Sequence, residues 1–238
     1  MLTGRSLRPM WFAASAIVIA CGAAEVLAPP FTPESAVLKF GVPPGWVVAG
    51  SQPQAYTYGT DQTNHHGGTS SAYLLRLSSV QRTGFVTITQ FIKADDYRGK
   101  RVRLSAWVAH KAIEGGAGGG VWIRIDGPTT FILDNMLSRP LTGTAEWHQV
   151  GDVVDVPANA IGISFGCLLD GDGVLNVDDF SLEVVGSNVP PTVTTAFANA
   201  VGQDSVAVAR GYANAQRSVL NPGFESVAGL SNRAPAGR

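Results

Sequence analysis

Few stretches of this chain bring chemistry-bearing residues close together. "NHHGG" (64–68) sets two histidines side by side. Adjacent side chains on an extended chain point apart, and no Cys/His/carboxylate spacing completes a zinc-type set, so the histidines read as part of a solvated loop. "DGDG" (170–173), with Asp178 and Asp179 after it, offers the oxygen ligands that calcium takes. It lacks the spacing and closing glutamate of an EF-hand loop, and Asp-Gly pairs are standard hairpin residues, so a polar turn is the simpler reading. Hydrolysis needs a nucleophile with a base, or two facing carboxylates. There is no G-x-S-x-G elbow. Asp126 and Asp134, across a hairpin, are the one enzymatic pair worth naming, and paired sheet residues are common without catalysis. The sequence is read as a protein that is not an enzyme and requires no cofactor.

Binding chemistry is better supplied. In "VWIRID" (121–126), Val121, Ile123 and Ile125 alternate with Trp122, Arg124 and Asp126, the period of a strand with one buried face. In "RVRLSAWVA" (101–109), Val102, Leu104, Ala106 and Val108 oppose Arg103, Ser105 and Trp107. In "IGISFGCLL" (161–169), Ile161, Ile163, Phe165, Cys167 and Leu169 oppose Gly162, Ser164 and Gly166. Placed on one sheet, the outward sets make a floor of small residues edged by Trp107, Trp122, Arg103, Arg124 and Asp126. Sugars lay their C–H faces on aromatic rings and hydrogen-bond planar charged groups, and binding sites pair apolar walls with a few placed polar groups. A polysaccharide or glycan is therefore the expected partner. Tryptophan is highly buried on average, so the competing reading covers this face with a protein partner or with residues 196–226, as in a structural or interaction domain of the cell envelope. Trp46 and Trp147 read as core residues, and Tyr56 and Tyr58 as loop residues at a rim.

The elements that must carry these residues are strands. Glycine (28) and proline (14) are plentiful, and helical periodicity is weak. About eight alternating runs separated by Gly, Pro and Asp turn signals, the stretch Gly115–Gly120 among them, predict an all-β fold, a two-sheet antiparallel sandwich. A net charge of −1 and the lack of a Lys/Arg cluster argue against a nucleic-acid partner.

The first residues read as an export signal: Arg5 and Arg8, an apolar run from Met10 to Ala20, then small residues. "VIAC" (18–21) resembles the lipobox of bacterial lipoproteins, which would make Cys21 the lipidated residue and a lipid anchor the chain's one tie to a membrane; otherwise cleavage after Ala28 would release a secreted form. Cys167 reads as a buried free thiol. The expected organisation is a signal segment (1–28), a Pro-rich lead-in (29–45), a sandwich (46–186), a linker or weak helix (187–217), and an "NPGFE" strand with a loose tail (218–238).

From Gly45 to Val185 the chain resembles the galactose-binding-like jelly rolls that include many carbohydrate-binding modules. "PPGW" (43–46), "GGTSSAYLL" (67–75), "YRGKRVRLSAWV" (97–108), "GTAEWHQV" (143–150) and "VDDFSLEVV" (177–185) carry the likeness through their order. A closer likeness is to a bacterial group with a "DNM..RP..GT..W" and "VDVP" pattern, here Asp134–Met136, Arg139-Pro140, Gly143-Thr144, Trp147 and Val154–Pro157. Some of that group are labelled as AraC-type regulators, but no helix-turn-helix is visible here. In such jelly rolls an "N-x-x-F-E" strand opens the domain; here Asn221–Glu225 comes at the end, either as a displaced edge strand of the same sandwich or as the start of a second domain. The resemblance also implies a structural calcium, with Asp179 and Glu225 in the ligand positions.

Overall fold

The computed structural model describes residues 42, 45–76, 84–198 and 205–225. The segment expected to direct export, Cys21 and most of the Pro-rich lead-in lie outside them. Nine strands are found: β1 (Val47–Ala49), β2 (Tyr56–Asp61), β3 (Ser71–Arg76), β4 (Val86–Lys93), β5 (Arg101–Asp126), β6 (Thr130–Asp134), β7 (Gly143–Asp155), β8 (Gly162–Val185) and β9 (Ala196–Ala198). Among the described residues one α-helix, α1, spans Ser205–Tyr212, and a single 3-10 turn lies at Pro53–Ala55. Every pairing between the strands is antiparallel.

The long strands β5 and β8 run side by side, from Arg101 opposite Val185 to Asp126 opposite Gly162. Phe165 and Phe180, both on β8, have ring centroids 6.0 Å apart. Fifteen extended residues would span about 50 Å, so β8 must double back and take β5 with it. The continuous sheet is thus folded into two layers. Layer A holds β1, β4, the 162–169 half of β8, the 118–126 half of β5, β6 and β9; layer B holds β2, β3, the 174–185 half of β8, the 101–111 half of β5, and β7. This is the two-layer antiparallel sandwich that the alternation predicts.

The bend explains where the sequence reading of the elements differs. Gly115–Gly120 and "DGDG" are not turns between strands but the two facing corners of β5 and β8, with register shifts at 111–118. The corner needs glycine: Gly171 and Gly173 have positive φ, and a Cβ there would meet the carbonyls of Gly115 and Ala112 at 2.5 and 2.4 Å. "YTYGTD" is strand β2, not a loop. Tyr56 is buried and its hydroxyl donates to the Gly84 carbonyl (2.8 Å).

The inward sets of the alternating strands make the core: Val102, Leu104, Ala106 and Val108 in layer B face Val121, Ile123, Ile125, Ile163, Phe165, Cys167 and Leu169 in layer A. Cys167 is free and buried; Ile161 is half-buried. At one mouth of the core Trp46 packs on Phe165, Phe180 and Phe224, at centroid distances of 5.8, 5.1 and 4.6 Å. Phe224, from "NPGFE", is fully buried. Residues 221–225 thus seal the same sandwich, as a turn rather than an edge strand.

Candidate functional site

Trp107 on β5 and Trp147 on β7 share the outer face of layer B. Trp107 pairs with Gln149, so Trp147, two residues along, is its diagonal neighbour on that face. Trp147 is half-buried here rather than in the core, because β7 is an edge strand and its outer side carries no third layer. The β2–β3 connection folds over both rings. The Asp61 carboxylate starts it, accepting from the backbone N–H groups of Thr63 (2.8 Å) and Asn64 (3.2 Å) in an Asx-type turn. Ser71 Oγ donates to the Asn64 carbonyl (2.7 Å). The Asn64 side chain is then placed to accept the Trp147 indole N–H through Oδ1 (3.0 Å). Burial pushes the Asp61 carboxyl up, but the bonds from Thr63, Asn64 and Asn176 outweigh it and hold the group below its ordinary value.

Further along, the His66 ring stacks on Trp107, with centroids 3.8 Å apart and planes 11° from parallel. It lies 6.0 Å from the Trp147 ring. Three carboxylates clasp this part of the loop. Asp178 Oδ2 accepts from the backbone N–H groups of His66 (2.9 Å) and Gly67 (3.0 Å). Asp179 Oδ2 pairs with His66 Nδ1 (2.8 Å). Glu225 accepts from Thr69 N (2.9 Å) and from its hydroxyl. Burial raises the Asp178 carboxyl above its ordinary value despite those N–H donors.

Beside Asn64 a cleft of about 270 Å³ opens on the same face, lined by Asn64, Ala109, Asn176, Ala145, Lys111 and Glu146 among others. Its floor is small or apolar, and its rim mixes amides with exposed Lys111 and Glu146.

The sequence-expected platform is not one surface. Because β5 doubles back, Trp107 and Trp122 occupy outer faces of opposite layers. Trp107 and Arg103 lie on layer B, where Arg103 makes an exposed pair with Glu183 (3.2 Å). Trp122, Arg124 and Asp126 lie on layer A and are buried. Trp122 Nε1 donates to Thr87 Oγ1 (2.8 Å). Arg124 pairs with Asp126 (2.6 Å from Nε) and sits over the Phe131 ring at 4.4 Å. Tyr212 of α1 closes this group: its hydroxyl donates to Asp126 Oδ2 (2.5 Å) and lies 3.2 Å from Ser164 Oγ. A Cβ on Gly162 would fall 2.2 Å from the Tyr212 ring, so the small floor expected for a sugar is occupied by the chain's own tyrosine. This half of the expected surface is covered by the C-terminal segment.

Two further expectations concern pairs of carboxylates. Asp134 pairs with Ile123 on the core side of layer A, while Asp126 points outward; the two carboxylates do not face each other. Asp179 and Glu225 do come together, both near Gly223. Asp179 Oδ2 pairs with His66 Nδ1 and both Glu225 oxygens accept from Thr69; no group of three or more His, Cys, Asp or Glu fit to hold a metal ion is found among the described residues. Together the two carboxylates clasp the β2–β3 loop. Nothing in the sequence singles out Asn64, His66 and Asn176 as residues of this face. Asn64 and His66 sit in a polar loop with no periodicity, and the one local signal was Asp61 followed by Thr63 and Asn64, a turn that fixes where the loop goes.

No family model matches the chain. An uncharacterized HTH-type transcriptional regulator, YbfP of Bacillus subtilis (strain 168), is 42% identical over 151 residues, which is 62% of this chain; the chain spans 50% of that protein's length. Among the described residues α1 is the one α-helix. Solved structures with similar coordinates include the CBM22-1 xylan-binding domain of Paenibacillus barcinonensis Xyn10C (12% identity, TM-score 0.43, 62% of this chain and 90% of that one). Another is TmCBM61 in complex with β-1,4-galactotriose (16%, 0.38, 61% and 92%). A third is the enzymatically active domain of tailspike protein 4 from bacteriophage CBA120 (13%, 0.44, 60% and 20%).

Proposed function

We propose that this protein is an exported, non-catalytic module that binds a glycan chain on the outer face of layer B. The observation that carries the reading is the cleft between Asn64, Asn176, Lys111 and Glu146, with the Trp147 ring held beside it by the Asn64 side chain. The arrangement meets the two needs of a sugar: a flat aromatic surface for C–H faces, and amide and charged groups for hydroxyls. The small residues Ala109 and Ala145 let a ring approach the sheet. The basic and apolar opening of the sequence supports export, and the reading needs no cofactor. In affinity electrophoresis against a panel of polysaccharides, the protein is expected to be retarded, and a folded Trp147→Ala variant is expected to lose most of the retardation. Equal retardation of the variant, or none with any polysaccharide, would overturn the assignment.

A further inference from the structure

The His66 ring is the one group in this face that behaves like a bound ligand. It lies flat on Trp107 at 3.8 Å and stands 6.0 Å from Trp147, so it covers the Trp107 ring face that a stacked sugar ring would take. Its backbone is fixed independently of its side chain, because the His66 and Gly67 N–H groups both bond to Asp178. The loop also sits flush on the sheet: a Cβ at Gly67 would come within 2.6 Å of Asp179 Oδ2. What holds the imidazole itself is stacking plus one bond to Asp179, between side chains that are 32% and 42% exposed. Such an exposed pair is a weak hold. The imidazole can therefore swing out by side-chain rotation while the loop backbone, and with it Asn64, stays in place.

We infer that Trp107 is a second stacking position of the glycan site, capped by His66 in the free protein, and that a linear oligosaccharide long enough to reach past Trp147 displaces the imidazole. This rests on the glycan-binding reading and adds chain length as what the site discriminates. Short sugars occupy the open cleft alone; longer ones work against the His66 cap. A cap that occupies the competent surface for most of the time weakens apparent affinity by the fraction left open. Removing it therefore tightens binding of long chains roughly 3- to 10-fold.

The test uses the full chain labelled with 5-fluorotryptophan, with the Trp107 and Trp147 fluorine resonances assigned through Trp107→Phe and Trp147→Phe. Cellohexaose, xylohexaose and a β-1,4-galactan oligosaccharide are titrated against parent and His66→Ala, each beside its disaccharide. The expected result has two parts. A hexamer shifts the parent Trp107 resonance toward its position in His66→Ala, and that variant binds the hexamer more tightly. Weaker hexamer binding by His66→Ala would overturn the inference by making His66 a contact instead of a cap. Movement of Trp147 alone, with equal affinities, would overturn it while leaving the glycan reading intact. No movement with any oligosaccharide in either protein would overturn the glycan reading, and the cap with it.

Discussion

Replacing Phe224 by alanine tests whether "NPGFE" belongs to the sandwich energetically as well as geometrically. Phe224 is fully buried, its ring centroid is 4.6 Å from Trp46 and 6.0 Å from Phe180, and Trp46 Nε1 donates to the carbonyl of Asn221 just before it (3.0 Å). Truncating a phenylalanine in such a place costs about 3–5 kcal/mol from lost transfer energy and the cavity left behind. Few neighbours can relax into that cavity, because Trp46 and Phe180 are themselves pinned against Phe165. A domain of ordinary stability has about 5–15 kcal/mol in total, so the loss is a large share of it. At about 2–4 °C per kcal/mol for a chain of this size, the midpoint should fall by about 6–20 °C. Urea unfolding followed by tryptophan fluorescence measures the loss, with an unchanged urea slope showing that the same surface is exposed. Leu220→Ala, at a position 37% exposed, serves as the comparison and should cost about 1 kcal/mol or less. A Phe224→Ala loss below about 1 kcal/mol would refute the claim that this segment closes the core.

Three other outcomes follow from buried groups. Asp152 is fully buried, shares Arg139 with Asp134, and leaves Oδ2 without a hydrogen-bond partner; burial, then the Asp134 charge, push its carboxyl well above the ordinary value. A raised carboxyl contributes stability below its unfolded value of 3.8 and loses it as pH rises through the folded one. Asp152→Asn should therefore be as stable as the parent or more so at pH 7, with a shallower decline in stability above pH 4, and a uniform loss across pH in denaturation curves would contradict this. Tyr212→Phe should cost about 1.5–3 kcal/mol, the range for a hydrogen bond to a charged group, since its hydroxyl bonds Asp126 under α1; unchanged thermal unfolding would mean that α1 is not docked on layer A. Burial pushes the Cys167 thiol up to about 12, so a Cys21→Ser variant, in which Cys167 is the remaining thiol, should not react with Ellman's reagent at pH 8 until denaturant is added, and fast native labelling would place Cys167 elsewhere.

Much of the core was legible because alternation reports which residues share a face. The inward sets Val102, Leu104, Ala106 and Val108, then Val121, Ile123 and Ile125, and Ile163, Phe165, Cys167 and Leu169, are all buried as the period-2 pattern requires. What that pattern cannot carry is which layer a face belongs to. Trp107 and Trp122 both oppose aliphatic sets, yet the corner at 111–118, marked by Ala112, Gly115, Gly116 and Gly118 at positive φ, puts them on opposite sides of the molecule. Glycines there read as a loop, since a bent strand and a turn need the same residue. Trp147 was read as core because tryptophans usually are, and only its position on edge strand β7 shows otherwise. The Asn64–Trp147 and His66–Trp107 contacts join loop to sheet over long sequence separations, and nothing local in "NHHGG" encodes them.

The seal at the mouth of the core also sets an order of events during synthesis. Trp46 and Asn221, which it joins, are 175 positions apart. Wherever the chain emerges from its N-terminal end, at the ribosome or across a membrane, β1 to β8 are free to pair before Asn221 arrives to accept from the Trp46 indole. The last layer-to-layer contacts, and the Glu225 hold on Thr69 that steadies the site loop, form only after nearly everything else. Contacts of such high sequence separation form slowly, and sheets with exposed apolar surface are prone to aggregate while they wait. A nascent chain stalled before Phe224 would thus display an unfinished sandwich with a loose binding loop, and completion of the core and of the site would arrive together.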